Sequence, residues 1–266
     1  MLSASTPQER RSALKDVYTE ARVCERCPQL VAGRTQVVFG AGNANADLLF
    51  VGEAPGAKED EQGVPFVGAA GKLLSELLGE IGIAREDVFI ANVLKCRPPQ
   101  NRNPEPEEIE RCSPWLWRQI ELIEPIVVVT LGNFATKLLR GDTTGITKLH
   151  GQVEDRVLGV RTVRLMPSYH PAAALYQRSN RDLIAADFAQ LPALLDHGPP
   201  EQGVIASAAA VVESAAEAPA ARAAETERGV VAARPGDRDG APDQGASQTG
   251  EAADAVAPSV EQLGLF

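Results

Sequence analysis

Residues 48–66 read LLFVGEAPGAKEDEQGVPF. Leu48 to Val51 form a short apolar run without alternation, the pattern of a strand buried on both faces. Gly52, Pro55 and Gly56 then stop it in a turn. The device recurs three times, in DVFIANVLKC (87–96), PIVVVTLG (125–132) and VRTVRLMPSYHP (160–171). Helical spacing fills the intervals at 68–83, 107–123 and 133–141, and again at 179–195; Gly141 closes the third, and Ser179 or Asn180 caps the fourth. An amphipathic helix is expected at 7–22. Doubly buried strands alternating with helices predict an α/β fold, a three-layer α/β/α sandwich around a central, mainly parallel four-stranded sheet.

In such sheets ligands bind beyond the carboxyl ends of the strands. The polar or glycine-rich turns at 52–60, 92–102 and 168–178 each follow a strand, so they should converge at one edge. The 97–106 segment, RPPQNRNPEP, holds four prolines and cannot be regular.

The chain has 266 residues, 44% of them hydrophobic, and a formal charge of −10. Residues 201–266 hold eleven acids against four arginines, so the remainder is close to neutral. A nucleic-acid surface would have to be a local basic patch. Lys95, Arg97, Arg102, Lys148, Arg178 and Arg181 could supply one. No apolar run approaches the length of a membrane span, roughly 20 residues. The N-terminus lacks the apolar core of a secretory signal. The expectation is a cytoplasmic, monomeric protein. Its folded domain is expected at 1–198. The alanine-rich segment 199–260 cannot bury enough apolar surface to offset ordering and is expected to be disordered.

Cysteine occurs four times, at Cys24, Cys27, Cys96 and Cys112, as C-x2-C, a gap of 68 residues and C-x15-C. In a reducing compartment this grouping suits a metal thiolate site better than disulfides. Flanking prolines at 28, 98 and 99 favour an iron–sulfur cluster, with tetrahedral zinc and free buried thiols as the alternatives.

Single residues stand out at the turns. Glu53 follows a buried strand directly, between Gly52 and Ala54, and reads as a site carboxylate. Glu59 and Glu61 read as solvated acids. Asn92 interrupts an apolar strand near its end; a carboxamide there offers one acceptor and two donors, which suits a nucleobase edge. His170 follows the fourth strand, before Pro171.

GEAPG, PFVGAAGKLL, NVLKCRPPQNRNP and the His170-Pro171 turn together resemble the family 4 uracil-DNA glycosylases, over about residues 24–195. The resemblance implies a uracil-DNA glycosylase-like fold and a [4Fe-4S] cluster held by the four cysteines. It implies hydrolysis of the N-glycosidic bond of deoxyuridine, which releases uracil from single- or double-stranded DNA. Phe66 would stack on the flipped base beside Gly52, Asn92 would read its O4 and N3–H edge, and His170 would stabilise the charge developing at O2. Glu53 would position or activate the water. The family 1 enzymes carry an aspartate where this chain has Ala54, so Asp60 is a second candidate for that role. They also carry a tyrosine that blocks thymine's methyl where this chain has Gly56. Leu175 is the candidate wedge for the vacated stack, with Ala172 where the family has a serine, and Arg178 and Arg181 are candidate phosphate contacts. A sister branch traps uracil covalently through a histidine in a basic insertion; KCRPPQNRNP has neither, so turnover is expected.

The sequence ends in EQLGLF. Gln262, Leu263, Leu265 and Phe266 resemble the motif by which bacterial proteins bind the sliding clamp. Two alternatives to the enzyme are an iron–sulfur DNA-binding or uracil-trapping protein without turnover and a zinc-stapled nucleotide-binding domain.

Overall fold

The structure is a computed structural model that describes residues 6–202. The α-helices and strands of the described residues, in chain order, are α1 (Pro7–Ala21), α2 (Pro28–Gly33), β1 (Ala41–Gly42), β2 (Leu48–Gly52), α3 (Ala57–Gln62), α4 (Ala69–Glu80), β3 (Phe89–Asn92), α5 (Pro106–Ile123), β4 (Val127–Leu131), α6 (Asn133–Arg140), α7 (Ile146–Leu149), β5 (Glu154–Leu158), β6 (Arg161–Ser168), α8 (Pro171–Tyr176), α9 (Ser179–Phe188) and α10 (Leu191–Asp196). The predicted clamp peptide, and the alanine-rich linker beyond residue 202, lie outside the described residues.

The six strands form one sheet in the order β1-β3-β2-β4-β6-β5. The inner four are parallel, and they are the four that the sequence announces. Leu48 to Gly52 are all buried, as are Val127 to Leu131. Alternate residues serve opposite faces. Leu49 and Val51 join Leu14 and Val17 of α1 and Leu116 and Ile120 of α5. Leu48 and Phe50 join Leu74 and Leu78 of α4 and Phe188 of α9. Two apolar layers on one sheet give the three-layer sandwich.

Two antiparallel edge strands, β1 and β5, go beyond the predicted four. β1 has only two residues. β5, EDRVL, alternates between partly and fully exposed positions until Leu158, and its charged side chains keep a sheet edge in water. The helix expected over 179–195 is divided into α9 and α10, with Pro192 in the first turn of the second. Pro114 lies inside α5, where it removes one backbone donor. The Ser113 hydroxyl donates to the freed Glu110 carbonyl at 3.3 Å, so the helix continues.

Candidate active site

The carboxyl ends of β2, β3 and β6 open onto one cleft of about 430 Å³, the size of a small-ligand site. Glu53, Phe66, Asn92 and His170 line it. Register explains the meeting. Gly52 of β2 pairs with Asn92 of β3, and Leu131 of β4 with Ser168 of β6, two residues before His170. The chain just beyond the strands is also laced together: Val93 donates to Gly52 O at 2.9 Å and Leu94 to Glu53 O at 3.0 Å.

Asn92 is buried, and its side-chain Oδ1 has no hydrogen-bond partner. Leaving such an acceptor unpaired costs about 1–3 kcal/mol. Gly52 makes room for it. A Cβ at position 52 would stand 2.4 Å from Asn92 Oδ1 and 2.8 Å from Phe66 Cζ. Glycine at 52 therefore leaves room for both the acceptor and the aromatic ring that line the cleft.

Phe66 has φ of 54°, a left-handed conformation that costs a residue with a side chain roughly 1–2 kcal/mol. Its ring faces the His170 imidazole, with centroids 5.4 Å apart and 30° between planes. Glu59 holds the next peptides, accepting from Val67 N at 3.0 Å and Gly68 N at 2.8 Å through Oε1. The sequence reads Glu59 as a solvated acid; it is instead a cleft-lining anchor at the start of α4. Its Oε2 lies 2.7 Å from where a Cβ on Gly56 would stand.

His170 caps α8. Its Nδ1 accepts from Ala172 N–H at 3.1 Å, which leaves the proton of the neutral ring on Nε2. The ring keeps some surface open to the cleft, but protein surrounds most of it, and burial pulls its pKa down to about 4; the Glu59 carboxylate opposes this weakly. Burial moves the half-buried Glu53 carboxyl the other way, upward. Both shifts favour the uncharged form.

Asp60, the second candidate acid, does not reach the cleft wall. It is buried, and both carboxylate oxygens accept from Thr35 N, at 3.0 and 2.9 Å. This corrects its reading as a water-activating group, because a carboxylate held in that way closes a loop instead. Leu175 is 51% exposed on α8, next to Tyr176 at 92%. Arg178 is exposed and forms no ion pair among the described residues, whereas Arg181 pairs with Glu80.

Asn101 and Arg102 also line the cleft, and sequence reasoning passed over Asn101 altogether. Gln100 and Asn101 are both left-handed, at φ of 54° and 55°. Arg97 Nε donates to Asn101 Oδ1 at 2.7 Å, and Arg102 grips Glu108 of α5 with both guanidinium ends, at 2.9 and 2.6 Å. The only signal available was the density of proline and asparagine at 98–104.

The four cysteines line one second cavity together with Arg34, Lys95 and Trp115. All four are free thiols; Cys96 and Cys112 are buried. Burial pushes the Cys96 thiol up and the Cys112 thiol to about 12. Arg34 Nη1 donates to Cys96 Sγ at 3.1 Å and the Lys95 amide to Cys112 Sγ at 3.2 Å. Among the described residues no group of three or more Cys, His, Asp or Glu side chains is arranged to hold a metal ion. Lys95 is itself buried. Its Nζ donates to the Asn92 carbonyl at 2.8 Å and to Gln119 Oε1 at 2.5 Å, which ties the cysteine cavity to the cleft.

The family model for the uracil DNA glycosylase superfamily matches residues 39–191. A type-4 uracil-DNA glycosylase of Archaeoglobus fulgidus is 46% identical over 183 residues, which is 67% of this chain and 92% of that protein. One from Thermotoga maritima is 47% identical over 172 residues, 64% of this chain and 88% of that one. A type-5 uracil-DNA glycosylase of Pyrobaculum aerophilum is 34% identical over 182 residues, covering 56% and 78%.

Proposed function

The chain belongs to the uracil DNA glycosylase superfamily, and on that premise we propose how its own residues carry out the reaction. The protein is a uracil-DNA glycosylase, a DNA-repair hydrolase that excises uracil. The observation that carries the mechanism is the orphaned Oδ1 of Asn92, in the cleft that His170 and Glu53 also line.

Uracil enters the cleft extrahelically. Phe66 packs against its face. Asn92 Oδ1 accepts from N3–H, and the same amide donates to O4. Cytosine carries an acceptor at N3 and a donor at C4, so both contacts fail and buried polar groups are left unpaired. Glu59 Oε2 fills the space beside Gly56 and stands against the 5-methyl group of thymine. The C1′–N1 bond breaks with its electron pair moving onto the base, and the His170 Nε2–H donates to O2 as charge collects there. The ionised Glu53 orients the water, takes its proton as the oxygen bonds to C1′, and favours the cationic sugar. Free uracil and an abasic site result. Leu175 wedges the vacated stack, and Arg178 meets a backbone phosphate.

The four cysteines hold a [4Fe-4S] cluster. The donor set suits it: four thiols and two N–H···S donors surround one cavity. The cluster supplies a cross-link between the segments after α1, after β3 and inside α5, and no step of the chemistry passes through it. Purified protein should show stoichiometric iron and broad visible absorbance; stoichiometric zinc in a colourless protein would refute this. The tail peptide QLGLF docks on the DNA sliding clamp.

The deciding assay uses a single-stranded oligonucleotide with one uracil, followed by alkali. Strand scission is expected with uracil and not with cytosine, and Asn92→Ala should lose most of the uracil reaction. Absence of scission with the wild-type protein removes the assignment.

A further inference from the structure

Phe66 is the only apolar residue held at positive φ among the described residues, and its ring lines the cleft. Something must hold that conformation, because an unrestrained Phe returns to the favourable region and takes its ring with it. Glu59 accounts for one side, through the N–H groups of Val67 and Gly68. The other side is held by a residue to which the reaction gives no part. Arg85, in the turn before β3, sends Nη2 to the Pro65 carbonyl at 2.8 Å and Nη1 to Ser75 Oγ at 3.2 Å. Ser75 is fixed in turn on Gly71 O at 3.1 Å. The fit allows no slack: a Cβ on Gly71 would stand 1.7 Å from Phe66 O.

Arg85 is partly buried, and burial weakens its hold on its proton. Among the described residues no carboxylate lies within ion-pair distance of it, so its hydrogen bonds go to a backbone carbonyl and a hydroxyl. Arg181, on the open surface, instead pairs with Glu80. A guanidinium withdrawn from water to grip one peptide is placed for geometry, and that peptide immediately precedes Phe66.

We propose that Arg85 is a positioning residue for base binding: with Glu59 as the opposite jaw, it locks the Pro65–Gly68 turn so that the Phe66 ring is presented to the uracil. The inference rests on the stacking role of Phe66 given above.

The test compares Arg85→Ala and Arg85→Lys in the wild-type and Phe66→Ala backgrounds. Two quantities are read: kcat/KM on a single-stranded uracil oligonucleotide, and inhibition by free uracil. Arg85→Ala should lower kcat/KM by about ten- to a hundredfold, the scale of one charged hydrogen bond. It should weaken uracil inhibition by the same factor. Arg85→Lys, which keeps one donor for Pro65 O, should recover part of both. In the Phe66→Ala background the Arg85→Ala change should add less than about threefold, because the two substitutions remove one interaction. Unchanged uracil inhibition in Arg85→Ala, or its full penalty repeated without the Phe66 ring, overturns the proposal while the enzyme assignment stands. If Arg85→Ala does not fold, Arg85→Lys is read against the same two criteria. A wild-type protein that releases no uracil removes both readings.

Discussion

At the scale of residues, burial gives the cleft its chemistry. His170 is neutral at neutral pH because its pKa falls to about 4, and Glu53 ionises later than an ordinary carboxyl. The acid limb of kcat/KM should therefore follow Glu53, with an apparent pKa above the ordinary 4.5, and show no inflection at the ordinary histidine value of 6.5. In Glu53→Gln the residual activity should lose that limb. A limb near 6.5 that persists in Glu53→Gln would contradict the assignment. Stability carries a related signature. The unfolded chain takes up a proton at His170 below about 6.5 and the folded chain only near about 4, so stability from this residue is lost as pH falls across that window. Glu53, Asn92 and His170 were legible in the sequence because each sits directly at a strand's carboxyl end. Glu59 and Asp60 were not. They are neighbours in one acidic run, and only the turn of α3 sends one into the cleft and the other to Thr35. One-dimensional charge cannot separate them.

At the scale of elements, the inner sheet was readable because β2, β3 and β4 carry short buried apolar runs, at 48–51, 89–91 and 127–129, and β6 buries Val163, Leu165 and Met166. β5 was not, since its burial comes only at Leu158, and the two residues of β1 fall below any period. The cleft wall depends on an element's end as well. Gly52→Ala places a methyl group within 2.4 Å of Asn92 Oδ1 and 2.8 Å of the Phe66 ring. Unlike a flexible surface contact, neither neighbour can retreat without losing its role. The variant should fold, with destabilisation of about 1–3 kcal/mol, and lose uracil inhibition and excision together. Retention of tight uracil binding would show that the base sits elsewhere. The prolines at 98–106 announced irregular chain but not its outcome, two successive left-handed residues that bring Asn101 and Arg102 to the rim. That shape is set by tertiary partners, chiefly Glu108 on α5.

At the scale of the molecule, the proposed roles of the cleft and of the tail peptide should be separable. Deleting residues 262–266 should abolish capture by the sliding clamp and leave kcat/KM on a short oligonucleotide unchanged. Clamp binding that survives the deletion would refute the motif. The cysteine cavity joins distant parts of the chain, and its order along the chain carries a consequence for synthesis. Cys112 is synthesised before β4, β6 and His170. The segments that surround the cavity, α1, α2, β3 and α5, all precede them. Under the proposed cluster, every cysteine of the cage is therefore already in the growing chain before His170 is added, and the residues of the cage are complete before those of the cleft.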